Sequence, residues 1–198
     1  MQLDFAFHLP KWCKEQFTHI QGNYPAKEDR IRFAIALSRE NVERGTGGPF
    51  GAAVFHSDGT LIAPGLNLVE TENCSILHAE MVAIALAQQT LGRYDISDGG
   101  KTSYELVSSC EPCAMCFGSV PWSGLKKLIC AARDEDARRI GFDEGPKLPD
   151  WQGALEQRGI EVFRDVMREQ AVDVLNSYAK TGGTIYSSPS PEPQKHSE

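Results

Sequence analysis

The chain has 198 residues, 41% of them hydrophobic and 24% charged, with a formal net charge of −7. That length suits one domain with its own core and leaves two compact domains cramped. The acidic balance argues against a partner held chiefly through phosphates, which draws on clustered Lys and Arg, so no nucleic-acid partner is expected. The longest pure apolar run, residues 81–87, is far too short to span a bilayer, so no membrane partner is expected either.

The opening stretch, residues 1–28, is mixed, with Trp12, Phe17 and Ile20 spaced for a short helical turn that packs on the body. His8 and His19 sit in no ligand-spaced cluster and read as solvated or capping histidines. From residue 29 to 44 the positions Ile31, Ala34, Ile35, Ser38 and Val42 fall at helical spacing, and Gly45 is a plausible stop. Gly47-Gly48-Pro49 then breaks the chain. Residues 51–56 read as a strand, Ser57-Asp58-Gly59 as a turn and residues 60–67 as the returning strand of a hairpin. Phe50 at the mouth of this hairpin is either a core aromatic or a ring laid against a planar substrate. Asn67 is either a strand-end turn residue or an amide that reads the edge of a base.

Residues 77–89 are apolar on nearly every side, the mark of a buried helix. His78 and Glu80 are therefore conspicuous at its start. Positions i and i+2 point apart in mid-helix, so both can face one site only from the first turn. After a loop over residues 92–101, residues 104–109 form a buried strand that runs into Cys110-Glu111-Pro112 and a second helix. Cys113 and Cys116, three apart, lie on one face of that helix with β-carbons about 5–6 Å apart. That spacing suits two thiolates sharing one zinc ion, with Zn–S bonds of about 2.3 Å. Pro112 fits the first helical turn, where its missing N–H costs nothing. The positive end of the helix favours the thiolate form.

His78 supplies a third ligand, and three protein ligands leave one position for water, the arrangement of catalytic zinc. Glu80 decides for catalysis, because a structural site has no use for a carboxylate two residues from a ligand. A hydrolytic site needs a group that takes the proton from water and delivers it to the leaving group. H-x-E followed by P-C-x-x-C is the signature of zinc deaminases, with the Glu as proton shuttle. Cys110 as a fourth thiolate would close the site, and Glu80 would then have no task.

The second helix runs to about residue 120 and is ended by Pro121-Trp122-Ser123-Gly124. Residues 128–131 make a short strand with Cys130 as a core thiol, and residues 134–140 a short charged helix. Residues 141–146 form an acidic, glycine-flanked turn, either solvated or folded back so that Glu144 covers the zinc pocket. A last strand is expected at residues 160–163 and a closing amphipathic helix at 165–180. The predicted organisation is a single domain over residues 1–186, with a Pro/Ser-rich, disordered tail over residues 187–198. Strands interleaved with helices give an α/β layered sandwich, with one hairpin inside an otherwise mixed sheet. The start, Met1-Gln2-Leu3-Asp4, is acidic and lacks an apolar core, so a cytoplasmic enzyme with six reduced cysteines is expected.

Gly48-Pro49-Phe50, Gly65-Leu66-Asn67, His78-Ala79-Glu80, residues 111–118, Trp122-Ser123-Gly124 and residues 140–146 together resemble bacterial guanine deaminases of the cytidine-deaminase fold. The similarity spans roughly residues 28 to 186 and implies a three-layer α/β/α sandwich around a mixed five-stranded sheet. It implies one zinc per chain on His78, Cys113 and Cys116, and Glu80 as the proton shuttle. It implies that Asn67 and Glu144 contact the purine edge, with Phe50, Ala79 and Trp122 in the pocket and Glu144 sharing the catalytic work. The implied reaction is guanine to xanthine with release of ammonia, with ammeline as a further substrate of some members, in a homodimer. The alternatives are a nucleoside, cytosine or tRNA adenosine deaminase, or a zinc module without turnover.

Overall fold

The computed structural model describes residues 4–18 and 22–186. The predicted tail, His19 and Ile20 lie outside these residues. The hairpin forms as expected, from β1 (Gly51–His56) and β2 (Leu61–Leu66). β3 (Tyr104–Cys110) pairs antiparallel with β1, while β4 (Lys127–Ala132) and β5 (Glu161–Phe163) continue the sheet in parallel. The order is β2-β1-β3-β4-β5, the mixed five-stranded sheet that the sequence implied.

Alternation along β1 sorts the layers, since successive side chains leave a strand on opposite faces. Ala52 and Val54 join a core with α3 (Ala79–Leu91) and with Val120 of α4 (Ala114–Ser123). Ala53 and Phe55 join the opposite core with α2 (Lys27–Glu43) and α7 (Arg168–Lys180). A third apolar cluster joins Cys13 of α1 (Lys11–Thr18) to Leu66 and Val82. The N-terminus of α2 is tied to the sheet by Arg30, which pairs with the buried carboxylate of Glu105 and donates to the carbonyls of Tyr24 (2.6 Å) and Pro25 (2.9 Å). Removing one partner of such a buried pair leaves an uncompensated charge, which is costly.

Three elements depart from expectation. α4 passes through Pro121 to Ser123 before Gly124, at φ 85°, ends it. Proline in the last turn removes a single hydrogen bond, and the helix stops two residues later in the left-handed conformation that glycine adopts freely. α7 starts at Arg168 rather than near residue 165 because Asp165 (φ 62°) and Met167 (φ 56°) hold positive dihedrals incompatible with a helix. Between α5 (Asp134–Arg139) and β5 lies an unexpected short helix, α6 (Trp151–Glu156), capped by Asp150, whose Oδ1 accepts from Gly153 N at 3.0 Å.

Because β1 runs against both neighbours, its beginning lies beside the ends of β2 and β3. Phe50, Asn67 and the Cys110–Cys113 segment therefore meet at one end of the sheet. Buried Asn41 fastens two of these segments, donating from Nδ2 to the carbonyls of Gly48 and Asn67, both at 3.0 Å.

Candidate active site

Two helices start at the same place. α3 can lie close on β2 because Gly65 has no side chain, and a β-carbon there would stand 2.1 Å from the carbonyl oxygen of Ala79. His78 is the N-cap of α3, with extended backbone, and Glu80 is its second helical residue. Cys113 is the N-cap of α4 and Cys116 its third residue. Pro112 therefore precedes the cap rather than occupying the first turn, where its missing N–H is still no loss. The side chains at N-cap and N3 converge, as they do when a cap receives its own helix. His78 Nδ1 lies 3.5 Å from Cys113 Sγ and 3.6 Å from Cys116 Sγ. The three donor atoms fall within 4.8 Å of one another, and no other such group of His, Cys, Asp and Glu occurs among the described residues.

The charge distribution matches a metal site. A hydrogen bond from Cys116 pulls the Cys113 thiol down to about 4, against burial and with help from His78. Cys116, which gives that hydrogen bond, is pushed well above the usual thiol range by it and by burial. Burial pulls His78 down, but its bond to Cys113 and the charge there outweigh it and raise the imidazole. One thiolate, one thiol and an imidazole thus share a proton-rich cluster, and an ion that displaces those protons gains two sulfurs and one nitrogen. Such a soft, three-donor set fits zinc and leaves coordination positions for solvent. Cys110 is not a fourth donor: its Sγ points to the Arg133 carbonyl at 3.6 Å.

Glu80 is 5% exposed. Its Oε1 accepts from Ser108 Oγ at 3.3 Å and its Oε2 faces Cys116 Sγ at 3.5 Å. Burial and the charge on Cys113 raise its carboxyl above the ordinary range. A dry carboxyl beside the donor cluster is a group suited to accepting and returning a proton. Ser108 was missed in the sequence, although the Ser108-Ser109 pair near the end of the buried strand β3 was its signal.

Opposite the donors a cavity of about 630 Å³ opens between Phe50, Asn67, Phe142, Glu144 and Tyr186. Phe50 meets Phe142 edge to face, with centroids 5.0 Å apart. Asn67 is fully buried, and its amide pairs with the Tyr186 hydroxyl. Glu144 is 6% exposed, and burial, then the charges on Cys113 and Glu80, push its carboxyl up to about 8. The acidic turn thus folds Phe142 and Glu144 inward, while Gly141, Asp143 and Pro146 stay exposed. Its backbone is held by the bond from Ala114 N to the Glu144 carbonyl (2.9 Å) and by Gly145 N to Asp143 Oδ1 (2.9 Å).

Two expected pocket residues lie elsewhere. Trp122 is 81% exposed, because nine residues along α4 at 100° each place it opposite Cys113. The side chain of Ala79 is sealed in the core under β2 and does not line the cavity. Tyr186, which closes the cavity over Asn67 and Phe142, was not anticipated.

Residues 26–132 match the family described as the cytidine and deoxycytidylate deaminase zinc-binding region. The chain belongs to this deaminase family. The chain is 37% identical to the guanine deaminase of Bacillus subtilis over 142 residues, 72% of this chain and 87% of that relative. The solved guanine deaminase of Nitrosomonas europaea superposes with a TM-score of 0.86 at 42% identity, covering 91% of this chain and 98% of the other. The tRNA-specific adenosine deaminase of Bacillus subtilis is 40% identical over 148 residues, 75% of this chain and 85% of its own. The deaminase is accordingly a zinc-dependent hydrolase of amino-bearing rings. None of its described helices is long and apolar enough to cross a membrane.

Proposed function

We propose that this deaminase hydrolyses guanine to xanthine, with release of ammonia. Glu144 carries the reading. It brings a second buried carboxyl into the cavity, on a turn bonded to the very helix that presents Cys113 and Cys116. Guanine offers its ring N1–H as a donor beside the carbon that bears the departing 2-amino group, and a carboxylate complements that edge. Cytosine offers an acceptor there.

His78, Cys113 and Cys116 would hold the zinc. Bound zinc would supply Lewis acidity that lowers the pKa of water towards neutrality. Glu80 takes the proton that water releases and passes it to the ring nitrogen next to the amino-bearing carbon. Glu144 binds the amide edge and shares delivery of a proton to the departing amine, a task suited to a carboxyl that titrates near neutrality. Asn67 fixes the ring from the other side, Phe50 and Phe142 wall its plane, and Tyr186 covers it from solvent. One water is consumed, the C–N bond is replaced by a C–O bond, and ammonia leaves.

The 40% identity to a tRNA-specific adenosine deaminase supports a second reading. Against it, the cavity is lined by Glu80, Glu111, Asp143 and Glu144, with no Lys or Arg among its lining residues. The cavity thus offers no cation to pair with a phosphate backbone. The proposal includes a homodimer, for which Tyr94 (83% exposed) and Trp122, linked through the bond from Ile96 N to Ser123 O (3.0 Å), offer apolar surface. It also places the enzyme in the cytoplasm, where six free cysteines stay reduced. An ammonia-release screen of the zinc enzyme over aminated purines, pyrimidines, triazines such as ammeline, and nucleosides tests the reading. Guanine should give the highest kcat/KM, and a tRNA adenosine substrate outpacing it would reject the proposal.

A further inference from the structure

At the back of the cavity, where Glu111 lines it, lies a buried cluster of charges that the mechanism above does not use. Glu111, 3% exposed, accepts from Arg164 Nε at 2.6 Å and from Asp134 N at 3.2 Å. The side chain of Lys147, 7% exposed, extends into the same cluster over the Trp151 ring, 4.9 Å from its centroid. Its Nζ lies 3.0 Å from Asp134 Oδ2 and 3.8 Å from Glu111 Oε2, and donates to the Pro112 carbonyl at 3.0 Å.

That last bond distinguishes Lys147 from Arg164. Arg164 neutralises Glu111 and stacks on Trp151, and no hydrogen bond joins it to the 142–147 turn or to residues 112–114. Lys147 is part of the turn that carries Glu144, and it grips the carbonyl of the residue just before Cys113. On the other side of Cys113, Ala114 N donates to the Glu144 carbonyl at 2.9 Å. Two bonds thus bracket the cysteine and fasten it to the turn, one from each side. A buried ammonium with a carbonyl and two carboxylates around it has a single stable place, so the bracket is rigid.

We propose that Lys147 is a positioning residue for deamination: its ammonium fastens the turn bearing Glu144 to the carbonyl before Cys113, so that the metal donor and the substrate-facing carboxyl keep one fixed separation. This rests on the role given to Glu144 above. The rival role is plain support of the fold by charge neutralisation, which Arg164 shares.

The test measures kcat and KM for guanine, zinc per chain and Tm in the zinc-loaded enzyme. The variants are Lys147→Met, Lys147→Arg, Arg164→Met, Glu144→Gln and the double variant Lys147→Met/Glu144→Gln. Lys147→Met should lower kcat/KM about 10- to 100-fold, the range set by a misplacement of about 1 Å. Lys147→Arg should recover most of that loss. Arg164→Met should lower Tm while holding kcat/KM within about threefold of wild type, the margin within which an uncoupled surface of the site is read. With Glu144 already replaced, Lys147→Met should cost less than about threefold, because coupled residues are not additive. If the two losses multiply, or if Arg164→Met costs as much activity as Lys147→Met, the positioning role is overturned. Full activity in Glu144→Gln alone would instead remove the role of Glu144 and this inference with it. Should Lys147→Met not fold, Lys147→Gln carries the same cycle.

Discussion

The two walls of the cavity are built in different ways. The metal wall takes all its groups, His78, Glu80, Cys113 and Cys116, from the first turns of two helices, each set within four residues. The facing wall takes Phe50, Asn67, Phe142, Glu144 and Tyr186 from separate loops spread over more than half the chain. Reactive chemistry is held by local backbone geometry that any member of the fold repeats. Recognition of the ring is held by tertiary packing, and its side chains can be changed without touching the backbone bond and the Lys147 contact that tie the turn to Cys113. The two walls should therefore fail separately.

The largest effect is expected at the metal wall. Cys113→Ser removes the donor that carries the negative charge, so zinc should fall below one per chain and turnover by at least about 10³-fold, since the ion supplies several kcal/mol of transition-state stabilisation. Metal analysis and ammonia release on the same sample check both. At the facing wall, Glu144→Gln should keep zinc and lower kcat/KM for guanine by about 10²- to 10⁴-fold, the usual worth of a positioned acid–base group. Zinc loss in that variant would mean that the walls are not independent.

The smallest effect is expected outside both walls, at Asp136 of α5. Burial pushes its carboxyl up, but hydrogen bonds from Arg168 and the Arg133 N–H, with Arg139 in support, hold it down to about 2 against an ordinary 3.8. A depressed folded-state pKa stabilises fully above about pH 4 and loses that contribution as pH falls towards 2. Asp136→Asn should lower Tm at pH 7, with kcat/KM unchanged, and its deficit should shrink as pH falls from 4 to 2. A deficit constant across that interval would contradict the assignment.

The same contrast explains what the sequence discloses. H-x-E and P-C-x-x-C are legible because helix starts impose fixed short spacings. The hairpin and the sheet strands are legible because their alternation and turn residues are local. For Glu144 and Asn67 the residues alone left two readings open and the resemblance chose between them, since no spacing rule links either to the metal. Tyr186 reaches Asn67 across 119 residues, carried there by the packing of α7, and nothing near either residue announces the pair. The helix period, counted from Cys113, puts Trp122 on the outer face of this chain, away from its own cavity. α6 is too short for a periodic signal, and Asp150 as its cap was the sole local clue. The late start of α7 follows from positive dihedrals at Asp165 and Met167, residue types that give no warning of them.

The most direct measurement is Glu80→Ala assayed for zinc and for ammonia release from guanine. A retained stoichiometric zinc with turnover lowered at least about 10²-fold is the predicted result, because the carboxyl moves protons and holds no metal. An active Glu80→Ala enzyme, or one that has lost its zinc, would contradict it.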